Sequence, residues 1–256
     1  MRVAGSRDAA RAARTISRDG ASDRIAVEEP LEIRVRGEAL TVTMRTPGND
    51  EELALGFLFA EGLIERAAPA GPPADLAANT VDVDAALVRE PDARRFFTSS
   101  SCGVCGKGAL EEVVLRAPPL PPGPTIARAL LAGLPDRLVQ PGFAVTGGLQ
   151  ATGLFSVGGE PVVVREDVGR HNAMDKVIGW ALQRGLLPLA GHLLCVSGRL
   201  SYELVQKAAV AGAPVLVGVG APTTLAVDVA TEVGMTLVGF ARGGTCNVYA
   251  GAARVS

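Results

Sequence analysis

The sequence predicts an α/β protein, α+β overall, with a smaller N-terminal α+β domain before a C-terminal domain built on a mostly parallel sheet. Three observations predict this class. Apolar and polar residues alternate between residues 24 and 45, as they do in half-buried strands. A proline cluster at 117–124 then interrupts the chain. After it, strand-like and helix-like segments alternate, an order that packs helices against parallel strands.

Composition excludes several classes of function. The chain has 256 residues, of which 48% are hydrophobic, enough for one good core or two modest ones. A formal charge of -2 and 4% aromatic residues make nucleic acid an unexpected partner. The most apolar stretch, 208–221, is interrupted by Gly212 and Pro214 and falls short of the ~20 residues of a membrane span. We therefore expect no membrane partner.

Shifts in composition predict the organisation of the chain. The first residues are rich in arginine and lack an apolar segment, which favours a disordered tail over a signal peptide and predicts a cytoplasmic protein. The predicted parts are a tail at 1–22, an N-terminal domain at 23–116 that ends in a C-x-x-C loop, a proline-rich linker at 117–124 and a C-terminal domain at 125–256.

The N-terminal domain begins with a predicted hairpin. Its alternating strands at 24–45 turn at Gly37. Asn49 or Asp50 can cap a helix that continues to about residue 64, with its apolar residues largely on one face.

The C-terminal domain is predicted to start with a second hairpin, closed by a pair of glycines, and to continue as alternating helices and strands. The predicted strands are 150–157, 161–167, 192–198, 215–220, 235–240 and 245–250, and the predicted helices are 172–185, 201–212 and 224–233.

Three segments that follow strands in this domain carry arginine. In open α/β sheets ligands bind at the carboxyl ends of strands, and helix N-termini attract anions. Arg170 and His171 stand at one such point, Arg199 at a second, and Arg242 in a glycine-rich third. The three predict a phosphate site, although solvated arginines and plain glycine turns would produce the same pattern.

The choice of lysine and histidine gives a further indication. The only lysines are Lys107, Lys176 and Lys207. Each falls in a segment that already holds candidate site residues: the cysteine pair, Arg170 with His171, or Arg199. A compact ammonium suits a thiolate or a phosphate, so we expect the lysines beside such groups unless chance placed them there. Of the two histidines, His171 lies at a polar helix start and is the candidate site residue. His192 begins an apolar strand and is predicted to be a core residue whose hydrogen bonds are satisfied.

The C-x-x-C pair lies in 98-TSSSCGVCGKGALEEVV-114. Zinc needs four ligands, but the other cysteines, Cys195 and Cys246, stand apart in strand-like runs. A zinc deaminase would need H-x-E and P-C-x-x-C, and neither occurs. The surrounding glycines are too mobile for a rigid thioredoxin-type couple. A cysteine on a flexible arm, its thiolate favoured by Lys107, predicts sulfur transfer; an inert glycine-rich loop is the alternative.

Seven stretches of the sequence stand out as motifs: TPGNDEELALGFLFAEGLI, SCGVCGK, TGG, EDVGRHNAMDKVIG, SGRLSYELVQKAA, APTTLAVDVA and LVGFARGGTCNVY. Together they resemble the FdhD/NarQ family of formate dehydrogenase accessory sulfurtransferases. The resemblance covers roughly residues 25–250 and is most specific in EDVGRHNAMDK and SYELVQKAA.

The resemblance implies a sulfur carrier. Such a protein accepts persulfide sulfur from a cysteine desulfurase and passes it to bis(molybdopterin guanine dinucleotide), the molybdenum cofactor of formate dehydrogenase, so GDP should serve as a surrogate ligand. It also implies a homodimer and a cytidine-deaminase-like, three-layer αβα C-terminal domain without structural zinc. Cys102 would carry the persulfide with Cys105 and Lys107 beside it. The implied cofactor-binding residues are Gly169, Arg170, His171, Arg199, Phe240, Ala241, Arg242, Gly243, Gly244 and Thr245.

The sequence departs from the family pattern at Gln150. The family commonly has histidine there, and an amide cannot perform acid–base chemistry. Two other functions stay open at this stage. One is a non-catalytic chaperone for the molybdenum cofactor, which would not need the cysteine pair; the other is a thiol oxidoreductase, which would form a reversible Cys102–Cys105 disulfide.

Overall fold

The computed structural model of the chain describes residues 12–90, 119–121 and 123–256. Two strands near the N-terminus contradict the predicted disordered tail at residues 1–22. Strands β1 (Ala13–Arg18) and β2 (Ala21–Ala26) form an antiparallel hairpin, so the order begins well before residue 23. Asp19 and Gly20 both have positive φ at its tip, the conformation that a tight hairpin turn requires. Most residues of both strands are exposed, so these strands lack the apolar–polar alternation that predicts a half-buried strand.

The N-terminal sheet contains the predicted hairpin, but shorter. Its strands β3 (Glu29–Val35) and β4 (Glu38–Arg45) turn at Gly37, as expected. Residues 24–26 belong to β2 instead, because they pair with β1. Two short strands, β5 (Ala70–Gly71) and β6 (Thr80–Val83), complete the order β4-β3-β6-β5.

Helix α1 (Asp50–Ala60) covers this sheet. Leu53 and Leu58 pack with Leu31 and Ile33 of β3 in one buried cluster. The predicted cap is wrong in its chemistry: Asn49 precedes the helix in a left-handed conformation, and its side chain makes no capping bond.

The C-terminal sheet has six strands in the order β12-β11-β10-β9-β7-β8. The prediction of a mostly parallel sheet is wrong, since only the β9–β10 and β10–β11 pairings are parallel and the other three of the five pairings are antiparallel. Helical crossovers join the parallel strands, whereas a hairpin adds a strand in the opposite direction. The strands are β7 (Gln150–Ser156), β8 (Pro161–Asp167), β9 (His192–Val196), β10 (Val215–Gly218), β11 (Thr236–Arg242) and β12 (Thr245–Ala250).

Helices cover both faces of the six-stranded sheet. Residues of α4, α5 and α6 form one large buried cluster with one face, and residues of α2 form another cluster with the opposite face. No helix in the described stretches has the length and apolarity needed to cross a bilayer. The helices are α2 (Arg128–Gly133), α3 (Pro141–Thr146), α4 (Arg170–Gln183), α5 (Tyr202–Val210) and α6 (Thr224–Glu232).

The described part of the proline cluster packs on this second sheet. Leu120 is buried in the cluster under α4 to α6, and its amide donates to Val233 O. The guanidinium of Arg254 donates to Pro121 O. These two residues of the proline-rich segment are thereby held against the C-terminal core.

Helices α1 and α4 cross at glycine, and this crossing joins the two halves of the molecule. A Cβ atom at Gly56 would lie 1.8 Å from Asp175 O, and one at Gly179 would lie 1.8 Å from Glu52 O. Each helix therefore occupies the space that a side chain of the other would need. Glycine is required at both positions because the partner is backbone, which cannot move aside.

We expect Gly56→Ala or Gly179→Ala to lower the free energy of unfolding by about 3–5 kcal/mol, because the added methyl must push the helices apart. Chemical denaturation measures the change. Gly133→Ala is the control, since Gly133 is also helical but faces open space, and it should alter the stability by less than about 1 kcal/mol. Equal stabilities for all three variants would refute the close crossing.

Candidate functional site

The carboxyl ends of four strands lie along one edge of the C-terminal sheet. Strand β8 runs in the same direction as β9, because both are antiparallel to β7, which lies between them. Near these strand ends, Gly220 N donates to Gly198 O at 3.0 Å, and Phe240 N, within the last residues of β11, donates to Gly220 O at 3.2 Å. The three arginine-bearing segments are therefore neighbours along this edge, which we call the carboxyl edge.

The first segment is the start of α4. Gly169 precedes the helix and offers no side chain to cap it. The Nε2 atom of His171 lies 2.8 Å from Glu203 Oε2 and 3.3 Å from Ser201 Oγ, which ties the first segment to the second. The hydrogen bond from His171 lowers the pKa of Glu203.

Sequence reasoning missed Ser201 and Glu203. Both lie at the start of α5, where Ser201 is the residue before the helix and Glu203 is in its first turn. Serine followed by an acidic residue is common at the start of a helix, so the two residues are fully explained by helix capping and the helix dipole. The sequence therefore gives no sign of their contact with His171.

The arginines of the edge are largely unpaired. The Nε atom of Arg170 is buried without a hydrogen-bond partner. Arg199 and Arg242 are exposed, and no carboxylate of the described residues forms an ion pair with either. Unpaired guanidinium groups beside an uncapped helix start can bind an anion through charge-assisted hydrogen bonds.

The third segment differs from its prediction as a strand-to-helix transition. Gly243 and Gly244 have φ values of 56° and 76° and form the turn of the β11–β12 hairpin. Thr245 begins β12 and donates its hydroxyl hydrogen to Arg242 O. Phe240 is exposed and has a φ of 52°, whereas the Ala241 side chain is buried in the cluster on the α2 face. This segment offers the Arg242 side chain and backbone amides, without a helix terminus.

The prediction that the lysines lie beside a thiolate or a phosphate is wrong for the two that the structure describes. Lys176 Nζ is buried 2.7 Å from Asp167 Oδ2 and donates to Thr46 O. Lys207 Nζ lies 2.8 and 3.0 Å from the two oxygens of Asp175. Burial opposes the charge on Lys207, but neighbouring carboxylates outweigh it and raise its pKa. Lys107 lies outside the described residues.

Asp167 positions the start of α4. Its carboxylate is fully buried and accepts hydrogen bonds from Thr46 N at 3.1 Å, Gly169 N at 2.9 Å and Asn172 Nδ2 at 3.1 Å, besides its ion pair with Lys176. Because Thr46 follows β4, this one carboxylate links the N-terminal sheet to the helix start that carries Arg170 and His171.

The described cysteines are poor nucleophiles. Burial raises the pKa of both Cys195 and Cys246, so neither thiol ionises readily at neutral pH. Cys102 and Cys105 lie outside the described residues. Among the residues that are described, no group of three or more His, Cys, Asp or Glu side chains could hold a metal ion.

Two further side chains have unexpected surroundings. His192 is not a satisfied core residue as predicted, because its buried Nδ1 atom has no partner, and burial lowers its pKa. Gln150, at the start of β7, brings Oε1 within 2.6 Å of where a Gly198 Cβ would be. It therefore contacts the second segment of the carboxyl edge.

Comparison with known proteins assigns relatives over nearly the whole chain. The model of the FdhD/NarQ family matches residues 26–256. A protein of Nocardia farcinica named sulfur carrier protein FdhD is 52% identical over 247 residues, covering 91% of this chain and 88% of the relative. A Streptomyces coelicolor protein of the same name is 51% identical over 265 residues, covering 93% of each. The crystal structure of a candidate formate dehydrogenase accessory protein from Desulfotalea psychrophila has the same fold, with a TM-score of 0.73, 24% identity and coverage of 95% of this chain and 97% of that one.

We expect Lys176→Met to lower the free energy of unfolding by about 3–5 kcal/mol, because it leaves the buried Asp167 carboxylate without its counter-charge. Arg66→Met is the matched control: it removes a positive charge from an exposed position and should be nearly neutral. Denaturant titration compares the two. A loss below 1 kcal/mol for Lys176→Met would mean that the ion pair does not hold the helix start.

Proposed function

The chain belongs to the FdhD/NarQ family, and we propose on that basis that it is a sulfur carrier for a formate dehydrogenase. The observation that supports this most directly is the name shared by relatives about half identical over nine-tenths of the chain, sulfur carrier protein FdhD. Its partners would be a cysteine desulfurase as donor and a formate dehydrogenase as client. The homodimer and the cytidine-deaminase-like domain remain predictions.

The properties of the cysteines favour Cys102 as the carrier. A persulfide forms on a thiolate that the donor enzyme can reach. Cys195 and Cys246 are buried and their pKa values are raised, so they meet neither condition. The remaining cysteines are Cys102 and Cys105, and Lys107 follows them closely enough in sequence to favour a thiolate.

The loading step needs no oxidant. The thiolate of Cys102 attacks the outer sulfur of the persulfide on the desulfurase, and a new S–S bond forms on Cys102. The S–S bond of the donor breaks, and its cysteine leaves as a thiolate. One sulfur atom moves between two cysteines with no net change in oxidation.

The carboxyl edge is proposed to bind the cargo, the bis(molybdopterin guanine dinucleotide) cofactor of the client. Its guanidinium groups suit the phosphates of a dinucleotide, since arginine forms paired hydrogen bonds to such oxygens. The candidates are Arg170, Arg199 and Arg242. No carboxylate of the described residues forms an ion pair with Arg199 or Arg242, and the Nε atom of Arg170 has no hydrogen-bond partner.

A chaperone that only binds the cofactor is the second candidate. The unpaired charges of the carboxyl edge favour it as much as they favour a carrier, because both functions require cofactor binding. The two differ at sulfur, since a chaperone acquires none. A thiol oxidoreductase would instead show a Cys102–Cys105 disulfide after turnover.

We expect incubation with a cysteine desulfurase and cysteine to add about 32 Da, the mass of one sulfur atom, to the peptide that contains Cys102. Peptide mass mapping locates the added sulfur. Cys102→Ala should abolish loading, whereas Cys246→Ala is the control and should load normally because that thiol is buried. Sulfur found only on Cys195 or Cys246 would exclude Cys102 as the carrier, and the absence of sulfur would favour the chaperone.

We expect GDP to bind the wild-type protein, and Arg199→Ala or Arg242→Ala to weaken binding about tenfold, the usual loss for one charged hydrogen bond. Calorimetry gives the dissociation constants. Arg66→Ala removes another exposed arginine, one that lies in sequence between α1 and β5 and outside the three segments, and it should leave the affinity unchanged. An affinity for Arg242→Ala equal to that of wild type would exclude the β11–β12 turn from the site.

A further inference from the structure

Gln150 brings a neutral amide between two of the arginine-bearing segments. It begins β7 and is paired across the sheet with Asp167, the last residue of β8, just before the segment that carries Arg170. Its Oε1 atom lies 2.6 Å from the position that a Cβ atom of Gly198 would occupy, so the side chain reaches the residue before Arg199. The amide therefore lies at the carboxyl edge, beside both segments.

The missing side chain at Gly198 leaves the space that this amide occupies. A separation of 2.6 Å is too short for a carbon and an oxygen atom that are not bonded, so alanine at position 198 and the present position of the amide exclude each other. Gly198 does not have a positive φ, so its backbone conformation alone does not require glycine. What glycine provides at this position is room for Gln150.

The amide of Gln150 has no hydrogen-bond partner among the described residues, and its side chain is partly exposed. The same face of β7 carries a second unsatisfied group. Thr152, two residues along the strand, is completely buried and its hydroxyl also lacks a partner. Leu154, the next residue of this row, packs in the cluster with α4, so the row faces that helix. Unsatisfied polar groups on a rigid strand beside the edge favour a ligand that completes their hydrogen bonds.

The other polar side chains at this point are already engaged within the protein. Between residues 167 and 172 and between 197 and 201, the neutral ones are Asn172 with Met44 O, Ser197 with Ala151 N and Ser201 with His171. The carboxylates are engaged as well: Asp167 with Lys176, Glu203 with His171, and Glu166 with the amides of Gly142 and Phe143. Arginine only donates hydrogen bonds, so in these two segments Gln150 Oε1 is the side-chain acceptor that a ligand can use.

We propose that Gln150 is a specificity-determining residue that accepts the hydrogen on N1 of the guanine base. The role rests on the proposed function, because guanine is the base of the client cofactor. The phosphates of a nucleotide and guanine O6 and N7 are acceptors, which the arginines can satisfy. The N1–H of guanine is a donor and needs an acceptor, which the arginines cannot supply. Gln150 therefore adds to the edge the one kind of hydrogen bond that distinguishes the base from the phosphates.

The test is calorimetry with GDP, with GDP methylated at N1 and with inorganic pyrophosphate. The wild-type protein is expected to bind the methylated nucleotide about tenfold more weakly than GDP, because the methyl group replaces the hydrogen that Gln150 accepts. Gln150→Met keeps the length of the side chain without its amide. It should bind GDP about tenfold more weakly, should no longer distinguish the two nucleotides by more than about twofold, and should bind pyrophosphate as wild type does.

Two further variants separate the hydrogen bond from the packing of the side chain. Gln150→Glu retains an acceptor and should still prefer GDP to its methylated form. Gly198→Ala leaves Gln150 in the chain but forces its amide to move, so it should reduce the preference. The same substitution in a Gln150→Met protein should reduce it no further, because the group that it displaces is already absent.

Gln183→Met is the matched control. It makes the same chemical change at an exposed position, at the last residue of α4 and thus at the far end of that helix from the carboxyl edge, and it should bind all three ligands as wild type does. NMR gives a direct readout. The side-chain amide signals of Gln150, identified by their loss in Gln150→Met, should shift when GDP binds and should shift much less with pyrophosphate.

The outcomes separate this role from the phosphate site. If neither GDP nor pyrophosphate binds, the phosphate site of the proposed function is lost and the role of Gln150 with it. Pyrophosphate binding without a preference of the wild-type protein for GDP over its methylated form removes the role of Gln150 alone. An unchanged preference in folded Gln150→Met or folded Gly198→Ala does the same. Unfolding temperatures identify any variant that does not fold, and Gly198→Ala carries the test if Gln150→Met fails to fold.

Discussion

The close crossing of α1 and α4 is the contact on which the rest of the structure depends. Glycine at positions 56 and 179 lets the two helix backbones touch, so no side chain separates α1 from α4 at the crossing. At that short distance Glu52 of α1 reaches Arg165 of β8, with oxygen-to-nitrogen distances of 2.6 and 2.8 Å. Glu61 at the other end of α1 comes within 3.8 Å of Lys207. Larger residues at the crossing would separate these partners and leave charges buried without partners.

The same packing explains why the carboxyl edge has a defined shape. Lys176 and Asp167 are held between the end of β4 and the start of α4, so the N-terminal sheet determines where Arg170 and His171 point. The site is built on rigid elements and is supported by buried polar groups behind it. Such support is what keeps ligand-binding side chains in one orientation, because each has few alternative rotamers.

Sequence reasoning predicted the order of elements well where hydrophobic periodicity was strong. The strands at 150–156 and 161–167 and the helix at 224–232 lie close to their predicted limits. It failed where the outcome depended on distant partners. Nothing in the local pattern of Lys176 or Lys207 reveals Asp167 or Asp175 as a buried counter-charge, and a strand's direction depends on its connection more than on its composition. The contact of Glu203 with His171 spans 32 residues and leaves no local signal.

The burial of the lysines has a chemical consequence for the carboxyl edge. Arginine stays protonated at every pH that the protein meets, so Arg170, Arg199 and Arg242 supply constant positive charge. Lys176 and Lys207, in the part of the chain that the structure describes, are committed to buried carboxylates and cannot serve a ligand. Cys195 and Cys246 are buried away from solvent with raised pKa values. The imidazole of His171 is also engaged, because its Nε2 atom lies 2.8 Å from Glu203 Oε2. The positive charge that this edge can offer an anion therefore comes from its three arginines, and the buried ion pairs behind them hold the elements that carry them.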